Sequence, residues 1–317
     1  MSSPAQLRAE RLKGLPFEKS TTSDRGLFGS SIRSLKEIAG RRELLSLLIR
    51  RELKARYKDS RLGFLWSLIK PITMLLIYYV AIGQFLGAAR GIDDFAIFVF
   101  SGLTLWGLYS EIVSTGTSSI VGNAGLIKKV YLPREIFPLA AVGSSIFNFV
   151  IQFGVLIVAT IALGRFPISW NLLYLPAAVI IVLIYGTALA ILLSGLNVFL
   201  RDIGYLVEVV MLIFFWASPI VYAWSFVVAA AKETGLYWIE QVYMLNPMSI
   251  AIMAFQKGIW ASGSEERINA NGDVIPPQPW PADLDLRLIV LTLVGLVFLW
   301  FAQRVFSRIQ GNFAQEI

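Results

Sequence analysis

The sequence predicts an all-α membrane protein with six transmembrane helices, an amphipathic helix before the first of them and short re-entrant helices on the outer side. Hydrophobic residues make up 56% of the chain, more than a water-soluble domain normally contains. Apolar runs long enough to cross a bilayer recur along the sequence. Lysine and arginine are concentrated in the polar segments that lie on one side of the membrane if each apolar run crosses it once. These three observations exclude a water-soluble domain.

The composition also excludes several kinds of chemistry. The 317 residues contain neither cysteine nor histidine, so disulfides, thiolate ligands and imidazole chemistry are ruled out. The net charge of +7 lies mostly before the first apolar run. Membrane orientation explains this distribution better than nucleic acid, which we do not expect as a partner. Residues 1–33 contain no apolar stretch of the kind found in a cleaved signal peptide, and they are predicted to form a flexible cytoplasmic tail.

The predicted membrane domain, residues 34–317, begins with an amphipathic helix at 35–60 that leads directly into the first span. One half of this helix is apolar, with Leu44, Leu45, Leu48, Ile49 and Leu53. The opposite half is basic, with Arg50, Arg51, Lys54 and Lys58. This pattern is typical of a helix that lies in the bilayer interface and contacts membrane lipid, although an ordinary soluble helix is the alternative. Glu52 and Arg56 interrupt the apolar face and either snorkel or meet a protein partner.

The six apolar runs lie at about 68–86, 95–113, 136–163, 172–197, 205–228 and 288–306. In the fourth run Gly186, Ala190 and Ser194 recur every four residues, a spacing that favours close helix contact. In the fifth run Pro219 predicts a kink or a break near Ser218, because proline frees a carbonyl in the preceding turn.

Residues 237–260 are moderately apolar but are interrupted by Glu240, Asn246, Pro247 and Lys257. Two short helices that dip into the outer leaflet fit this pattern better than one span. The polar, proline-rich segment that follows is predicted to be an exposed loop. With six spans, most basic residues outside the membrane face the cytoplasm, so the chain is expected in the plasma membrane with both termini inside.

Polar residues within the spans give further expectations. Glu111 and Glu208 lie near the predicted cytoplasmic ends of their runs, and no carboxylate is expected at the midplane, which argues against a proton relay. Asn148 and Gln152 share one helix face and are predicted to bond a neighbouring helix.

Enzyme motifs are few. The phosphate-binding loop G-x-x-x-x-G-K-[ST] is absent, so the chain is not expected to bind ATP in that way. Asp283 and Asp285 have the D-x-D spacing with which many glycosyltransferases hold a metal-bound nucleotide sugar. Because they fall on the predicted outer side, at the start of the last run, stabilisation of a helix N-terminus is the favoured interpretation.

Aromatic residues are spread through the first, second and fifth runs. The candidate channel residues are Tyr78, Tyr79, Trp106, Tyr109, Phe215, Trp216 and Tyr222, with Phe214 and Trp224 beside them. Rings with a polar edge stack on sugar faces without binding them tightly, which suits movement of a glycan. Interfacial anchoring and contact with lipid are the alternative roles.

Five segments together resemble the permease subunit of ABC-2 type polysaccharide exporters, the families that carry O-antigen, capsule, teichoic acid or galactan. They are RYKDSRLGFLWSLIKP at 56–71, KKVYLPREIFPL at 128–139, FLRDIGYL at 199–206, SPIVY at 218–222 and LNPM at 245–248. The resemblance extends from Leu35 to the carboxyl terminus and implies the ABC-2 (type V) exporter fold.

The resemblance also implies a function and partners. It implies a homodimer bound to two copies of a separate ATPase subunit, which holds ATP and magnesium, and a polyprenyl-linked glycan as cargo. This chain would then carry no catalytic residue and bind no cofactor or metal. The competing interpretations are a permease for a drug or a small lipid, a membrane glycosyltransferase and, less favoured, a proton-coupled carrier.

Residue roles follow from the resemblance as well. The candidate residues for coupling to the ATPase are Leu126, Lys128, Lys129, Tyr131, Arg134, Arg201 and Asp202. The amphipathic helix would be a gate helix, with Arg50, Arg51, Lys54, Arg56 and Lys58 as its candidate residues. Residues 237–260 would form outer gate helices. From the residues alone, the simplest role of Arg201 and Asp202 is an ion pair or a cap at the start of the fifth span.

Overall fold

The computed structural model describes residues 40–56, 65–80, 92–129, 132–268 and 274–316. Residues Arg41–Ile317 form one compact unit. Within the described ranges the chain is helical apart from one antiparallel pair of two-residue strands, β1 (Arg267–Ile268) and β2 (Val274–Ile275). The helices are α1 (Arg42–Arg56), α2 (Leu65–Ile77), α3 (Phe95–Gly122), α4 (Ala124–Ile127), α5 (Ile136–Ala162), α6 (Tyr174–Phe199), α7 (Ile203–Trp216), α8 (Trp224–Thr234), α9 (Trp238–Leu245), α10 (Pro247–Ile259), α11 (Ala261–Ser264), α12 (Leu284–Ile309) and α13 (Phe313–Glu316).

Four helical segments are long and apolar enough to cross a membrane. They are Phe95–Gly122, Ile136–Ala162, Trp170–Phe199 and Leu284–Asn312. Two shorter apolar helical segments, Trp66–Val80 and Ile203–Trp216, correspond to the first and fifth predicted spans. The described part of the chain therefore shows a multi-pass membrane protein, but it does not show six continuous spans. Residues 81–86 of the first predicted span lie outside the described residues.

The fifth predicted span is not one continuous helix. α7 ends at Trp216 and α8 begins only at Trp224. The 14 residues of α7 rise about 21 Å, less than a hydrocarbon core of about 30 Å. The break expected near Ser218 is confirmed, and its physical cause is Pro219, which donates no backbone hydrogen bond.

Polar side chains of α10 and of Asn246, the residue before it, bond the segment in which the helix is broken. Gln256 Nε2 donates to the Pro219 carbonyl at 2.8 Å, and Ser249 Oγ donates to the Ala217 carbonyl at 3.2 Å. Asn246 Nδ2 donates to Ser218 Oγ at 3.1 Å. Without such partners, buried carbonyls cost several kcal/mol in a membrane (about 2–7 kcal/mol each on transfer scales). The broken segment and α10 are therefore held together.

The expected division of 237–260 into two helices is confirmed. Asn246 separates α9 from α10, and its side chain accepts a hydrogen bond from the Met248 backbone N–H at 3.0 Å. Pro247 occupies the first turn of α10, where its missing N–H is least costly. α10 is almost completely buried against α3 and α6, so it belongs to the core of the domain.

α3 is the most buried of the long helices, and small residues let α6 approach it. A Cβ at Gly116 would lie 3.0 Å from Ala190 Cα, and one at Gly186 would lie 3.1 Å from Ile112 Cγ2. Asn197 Nδ2 adds a hydrogen bond of 3.1 Å to the Thr117 carbonyl. The close contact predicted from the four-residue repeat in α6 is confirmed.

The two ends of the helix bundle differ. At one end, called the basic end below, buried apolar residues of α1, α3, α5, α6, α12 and α13 form a cluster. Its members are Leu48, Ile120, Ile136, Phe137, Ala140, Ile191, Val198, Phe306 and Phe313. At the opposite end Asp94, just before α3, forms an ion pair of 3.3 Å with Arg165, and Trp260 Nε1 donates to the Asp93 carbonyl at 2.8 Å. The predicted topology requires the ends of α3, α5, α6 and α12 to be grouped in this way. Only the distribution of charge assigns each end to a side of the membrane.

Candidate functional site

The apolar face of α1 packs against protein. Leu48 is buried in the basic-end cluster, and Leu44 and Leu45 pack against it. A Cβ at Gly143 of α5 would overlap the Ile49 side chain, so Ile49 fills the space left by the glycine. α5 and the basic-end cluster therefore cover these residues, while the position of α1 in the bilayer interface stays a prediction.

Two side chains of α1 make polar contacts with the bundle. Ser144 Oγ of α5 donates to Glu52 Oε2 at 3.2 Å, so Glu52 meets a protein partner. Arg51 Nη2 donates to Oδ1 of Asn123, the residue between α3 and α4. Arg50 and Lys54 are exposed. The remaining gate-helix candidates, the Arg56 side chain and Lys58, lie outside the described residues.

The segment after α3 supplies the coupling candidates. Leu126 of the four-residue helix α4 packs against the basic-end cluster, whereas Lys128 and Lys129 are exposed. Arg134 is half-buried, with its guanidinium carbon 5.5 Å from the centre of the Phe313 ring. Arg134 therefore helps to hold the carboxyl-terminal helix α13. Tyr131 lies outside the described residues.

Arg201 and Asp202 are exposed in the turn between α6 and α7. Asp202 takes the position before α7, but its side chain makes no capping hydrogen bond. The described part of the chain shows no ion pair between the two residues either. Neither the predicted cap nor the predicted ion pair is therefore formed, and both side chains are left to solvent or to a partner surface.

Three of the candidate channel residues form a row between α3 and α7. The Trp106 and Phe215 rings meet edge to face at 5.7 Å, and Phe215 meets Trp216 in the same way at 5.4 Å. Trp216 is 60% exposed and Trp106 is 8% exposed, so the row leads from the core to the surface. Tyr109 contacts Trp106 at 5.7 Å but is itself buried.

The other candidate channel residues lie elsewhere. Tyr222 donates to the Trp216 carbonyl at 2.7 Å and accepts a hydrogen bond of 3.3 Å from the Tyr243 hydroxyl of α9. Tyr78 packs against the main core, whereas Tyr79 is exposed. The structure thus brings together Trp106, Tyr109, Phe215 and Trp216 with Tyr222 nearby. Tyr78 and Tyr79 lie in the last turn of the helical segment Trp66–Val80.

Polar side chains join α3 to α5, and the sequence predicts only the α5 half of this contact. Asn148 Nδ2 donates to Glu111 Oε1 at 2.6 Å, which confirms that this face of α5 bonds a neighbouring helix. A Cβ at Gly107 would lie 3.3 Å from Gln152 Oε1, so the second amide reaches the same neighbour.

Glu111 lies deeper than the sequence suggested. α3 continues from Glu111 to Gly122, about 16 Å of helix rise, so the carboxylate is not within a turn or two of the helix end. The polar run STGTSS after Glu111 belongs to this helix, and its hydroxyls are satisfied within it. Thr115 donates to the Glu111 carbonyl at 2.6 Å and Thr117 donates to the Val113 carbonyl at 2.7 Å.

The two aspartates of the D-x-D pair lie at the start of α12. Asp283 Oδ2 accepts a hydrogen bond from Arg287 Nε at 2.7 Å, which lowers the pKa of Asp283. Asp283 precedes α12 and Asp285 lies in its first turn, where carboxylates are favourable, but Asp283 makes no capping bond. Among the described residues no three acidic side chains come together in a way that could hold a metal ion.

Fold and site together define a multi-pass α-helical membrane protein with a basic end and an aromatic row that runs from the core to the surface. The chain belongs to the ABC-2 type transporter family, which it matches over residues 43–260. It is therefore a membrane transport protein.

Individual relatives match this chain in sequence, two of them over most of its length and one over a quarter of it. The O-antigen export system permease protein RfbA of Myxococcus xanthus is 30% identical over 286 residues, 90% of this chain and 100% of the relative. The protein of the same name from Klebsiella pneumoniae is 31% identical over 274 residues, 86% of this chain and 94% of the relative. The polysialic acid transport protein KpsM of Escherichia coli is 30% identical over 79 residues, 25% of this chain and 31% of the relative.

Proposed function

We propose that this protein is the permease subunit of an ATP-driven exporter that moves a lipid-linked polysaccharide across the plasma membrane. The observation that carries the proposal is the match to permeases named for O-antigen export, which covers 90% of this chain and all of one relative. A match of this extent includes α1, α10 and the break that follows α7. These elements distinguish the bundle from a set of uninterrupted membrane spans. The cargo would be attached to a polyprenyl carrier.

The basic end faces the cytoplasm in this proposal, and so do both termini. Two copies of the chain form the transporter, and two copies of a separate ATPase subunit bind at the basic end. Exposed Lys128 and Lys129, next to the short helix α4, suit contact with an acidic or polar surface of that subunit. ATP and magnesium belong to the ATPase.

Force from the ATPase passes through α4 to α1 and the membrane helices. The contacts that support this route are the Arg51–Asn123 hydrogen bond and the packing of Leu126 and Leu48 in one cluster. Because α1 is also bonded to α5 through Glu52 and Ser144, movement of α4 changes the position of α1 relative to the bundle.

The proposed domain, residues 34–317, acts as one transport unit, and its aromatic row from Trp106 to Trp216 guides the cargo. Exposed Trp216 is available to stack on a sugar face, and the buried end of the row fixes its orientation. Aromatic stacking is tolerant of sliding, because every sugar ring presents an apolar face.

Depletion of the protein in its native cell tests the proposal. Surface glycan is expected to fall while the lipid-linked polymer accumulates inside the membrane. Purification of the complex from native membranes is expected to recover an ATPase subunit and a polyprenyl-linked sugar. If depletion leaves surface glycan unchanged and instead raises sensitivity to drugs, the chain is a drug or small-lipid permease. Turnover of nucleotide sugar by the isolated chain would identify a glycosyltransferase.

A further inference from the structure

The short helix α13 is held at the basic end by one side chain. Phe313, its first residue, is completely buried, whereas Gly311, Asn312 and Glu316 around it are exposed. The Phe313 ring meets the Phe306 ring of α12 edge to face at 5.4 Å. A helix of four residues is too short to be stable by itself, because nucleation of a single turn is unfavourable. The position of α13 therefore depends on the burial of Phe313.

The Phe313 ring contacts two connecting segments of the chain. One is the segment between α4 and α5, where the Arg134 guanidinium carbon lies 5.5 Å from the ring centre. The other is the end of α6, where the Phe199 ring meets the Phe313 ring edge to face at 5.9 Å. Both contacts are made by the same buried side chain, so Phe313 joins two segments that are far apart in the sequence.

These two segments carry the exposed candidates for contact with the ATPase. Lys128 and Lys129 lie a few residues before Arg134. Arg201 and Asp202 lie just after the end of α6. All four candidate side chains are exposed, so burial of their own does not fix where either pair lies. A partner that contacts both pairs at once binds tightly only when their spacing is already correct, because a preorganised surface avoids the entropy cost of ordering.

The end of α12 is packed between the same two parts of the bundle. Gln310 Nε2 donates to Oε1 of Glu135, the residue before α5, at 3.4 Å. On the other side, a Cβ at Gly195 of α6 would lie 2.7 Å from Ile309 Cδ1, so the Ile309 side chain occupies the space beside the glycine. The chain that leads into Phe313 is therefore held by α5 on one side and by α6 on the other.

We propose that Phe313 is a positioning residue for the ATPase subunit. It holds the segment after α4 and the turn after α6 at a fixed spacing, so that one surface of the ATPase contacts both. This inference rests on the proposed function and adds the residue that arranges the docking surface. Phe313 acts through these two segments, because its own side chain is completely buried. Without the ring each segment moves independently, and the docking surface is correctly arranged in only a fraction of the molecules.

The first test is the affinity of the full-length permease in membranes for the ATPase subunit that copurifies with the wild-type chain. If Phe313→Ala leaves about a fifth of the molecules correctly arranged, the apparent affinity falls about fivefold. Phe98→Ala is the matched control, because Phe98 is an equally buried ring near the opposite end of the bundle, packed on Trp260 at 4.9 Å. This control is expected to bind the ATPase with wild-type affinity. Equal affinities of Phe313→Ala and Phe98→Ala would overturn the proposal.

Paired spin labels test the spacing itself, which a general loss of stability does not change. The native chain contains no cysteine, so Lys129→Cys and Arg201→Cys attach the two labels and no others. In full-length permease in membranes, without the ATPase, one narrow distance between the labels is expected. Phe313→Ala is expected to broaden the distribution of this distance, and Phe98→Ala is expected to leave it unchanged. A distribution that stays narrow in Phe313→Ala would show that the ring does not set the spacing.

Phe313→Leu is the milder variant, since it keeps an apolar side chain in the basic-end cluster. It lacks the ring over which Arg134 lies, so its affinity for the ATPase is expected to fall between those of the wild type and Phe313→Ala. Wild-type affinity in both Phe313 variants would overturn this inference and leave the proposed function standing. Depletion that spares surface glycan, or purification that recovers no ATPase with the wild-type chain, would instead overturn the proposed function itself.

Discussion

The guanidinium of Arg51 donates a hydrogen bond to the side-chain oxygen of Asn123 and so ties α1 to the junction of α3 and α4. These two residues are 72 positions apart, and nothing in their local sequence indicates the contact. It links the proposed gate helix to the proposed site of ATPase contact. The first prediction follows from this link.

Arg51→Gln is expected to reduce export while the ATPase still binds and hydrolyses ATP. The shorter amide loses the charge-assisted bond to Asn123, worth about 1.5–3 kcal/mol, so movement of α4 no longer carries α1 with it. Export and ATP hydrolysis are measured on the same complexes. Arg42→Gln is the control, because Arg42 lies on the same helix, is exposed and is not a candidate gate residue. Equal export by the two variants would remove Arg51 from the coupling route.

Exchange of Lys128 and Lys129 for glutamate is expected to weaken binding of the ATPase subunit. Both side chains are exposed, so the change reverses surface charge without affecting the core. Copurification of the ATPase with a tagged permease measures the effect. Lys232→Glu, which reverses the charge of an exposed lysine on α8, is the control. Arg134 is less suitable for this test, because it lies over the Phe313 ring and its loss disturbs α13. Unaltered copurification of the double variant would place the ATPase contact elsewhere.

Gly116→Ala is expected to destabilise the bundle by about 1–3 kcal/mol, since the new methyl group would be forced against Ala190. Thermal unfolding of the purified complex measures the loss. Gly154→Ala on α5 is the matched control, because a Cβ there meets nothing within 4 Å. If both variants unfold at the wild-type temperature, α3 and α6 are not packed as described.

Gln256→Leu is expected to lower stability by about 1–3 kcal/mol, because it leaves the buried Pro219 carbonyl without its donor. The loss should appear first as faster proteolysis or hydrogen exchange between α7 and α8, where the helix is broken. Gln256→Glu does not serve as a rescue, since a carboxylate cannot donate when ionised. A protected, wild-type pattern in Gln256→Leu would show that this bond does not support the break.

The two tryptophans of the aromatic row are expected to respond differently to alanine. Trp106→Ala removes a buried ring and is expected to cost about 3–5 kcal/mol of stability, with a lower protein level. Trp216→Ala removes a ring that is 60% exposed, so the protein level is retained while export falls. Export is normalised to the amount of permease in the membrane. Normal export by Trp216→Ala would assign this ring to lipid contact.

Local signals in the sequence were enough to predict several features of the fold. Pro219 determines that the fifth apolar run is broken, because the missing donor acts within one turn. Asn246 followed by Pro247 determines that α9 and α10 are separate, because a capping side chain and an N1 proline specify a helix start. The small residues of α6 predicted its close contact with α3, and hydropathy with charge predicted which helix ends lie together.

Other features were decided only by tertiary structure. Periodicity showed that one face of α1 is apolar. Lipid and protein cover such a face equally well. In this protein Leu48 and Ile49 of that face pack on α5 and its neighbours. The depth of Glu111 depends on whether the serines and threonines after it continue the helix, and their bonds to preceding carbonyls let them do so. α10 resembles a peripheral segment in its composition, yet it is buried. Its polar side chains donate hydrogen bonds to carbonyls in the break that follows α7. The sequence by itself determined the class of protein and the order of its helices, whereas only the packing of distant segments determined what each face contacts.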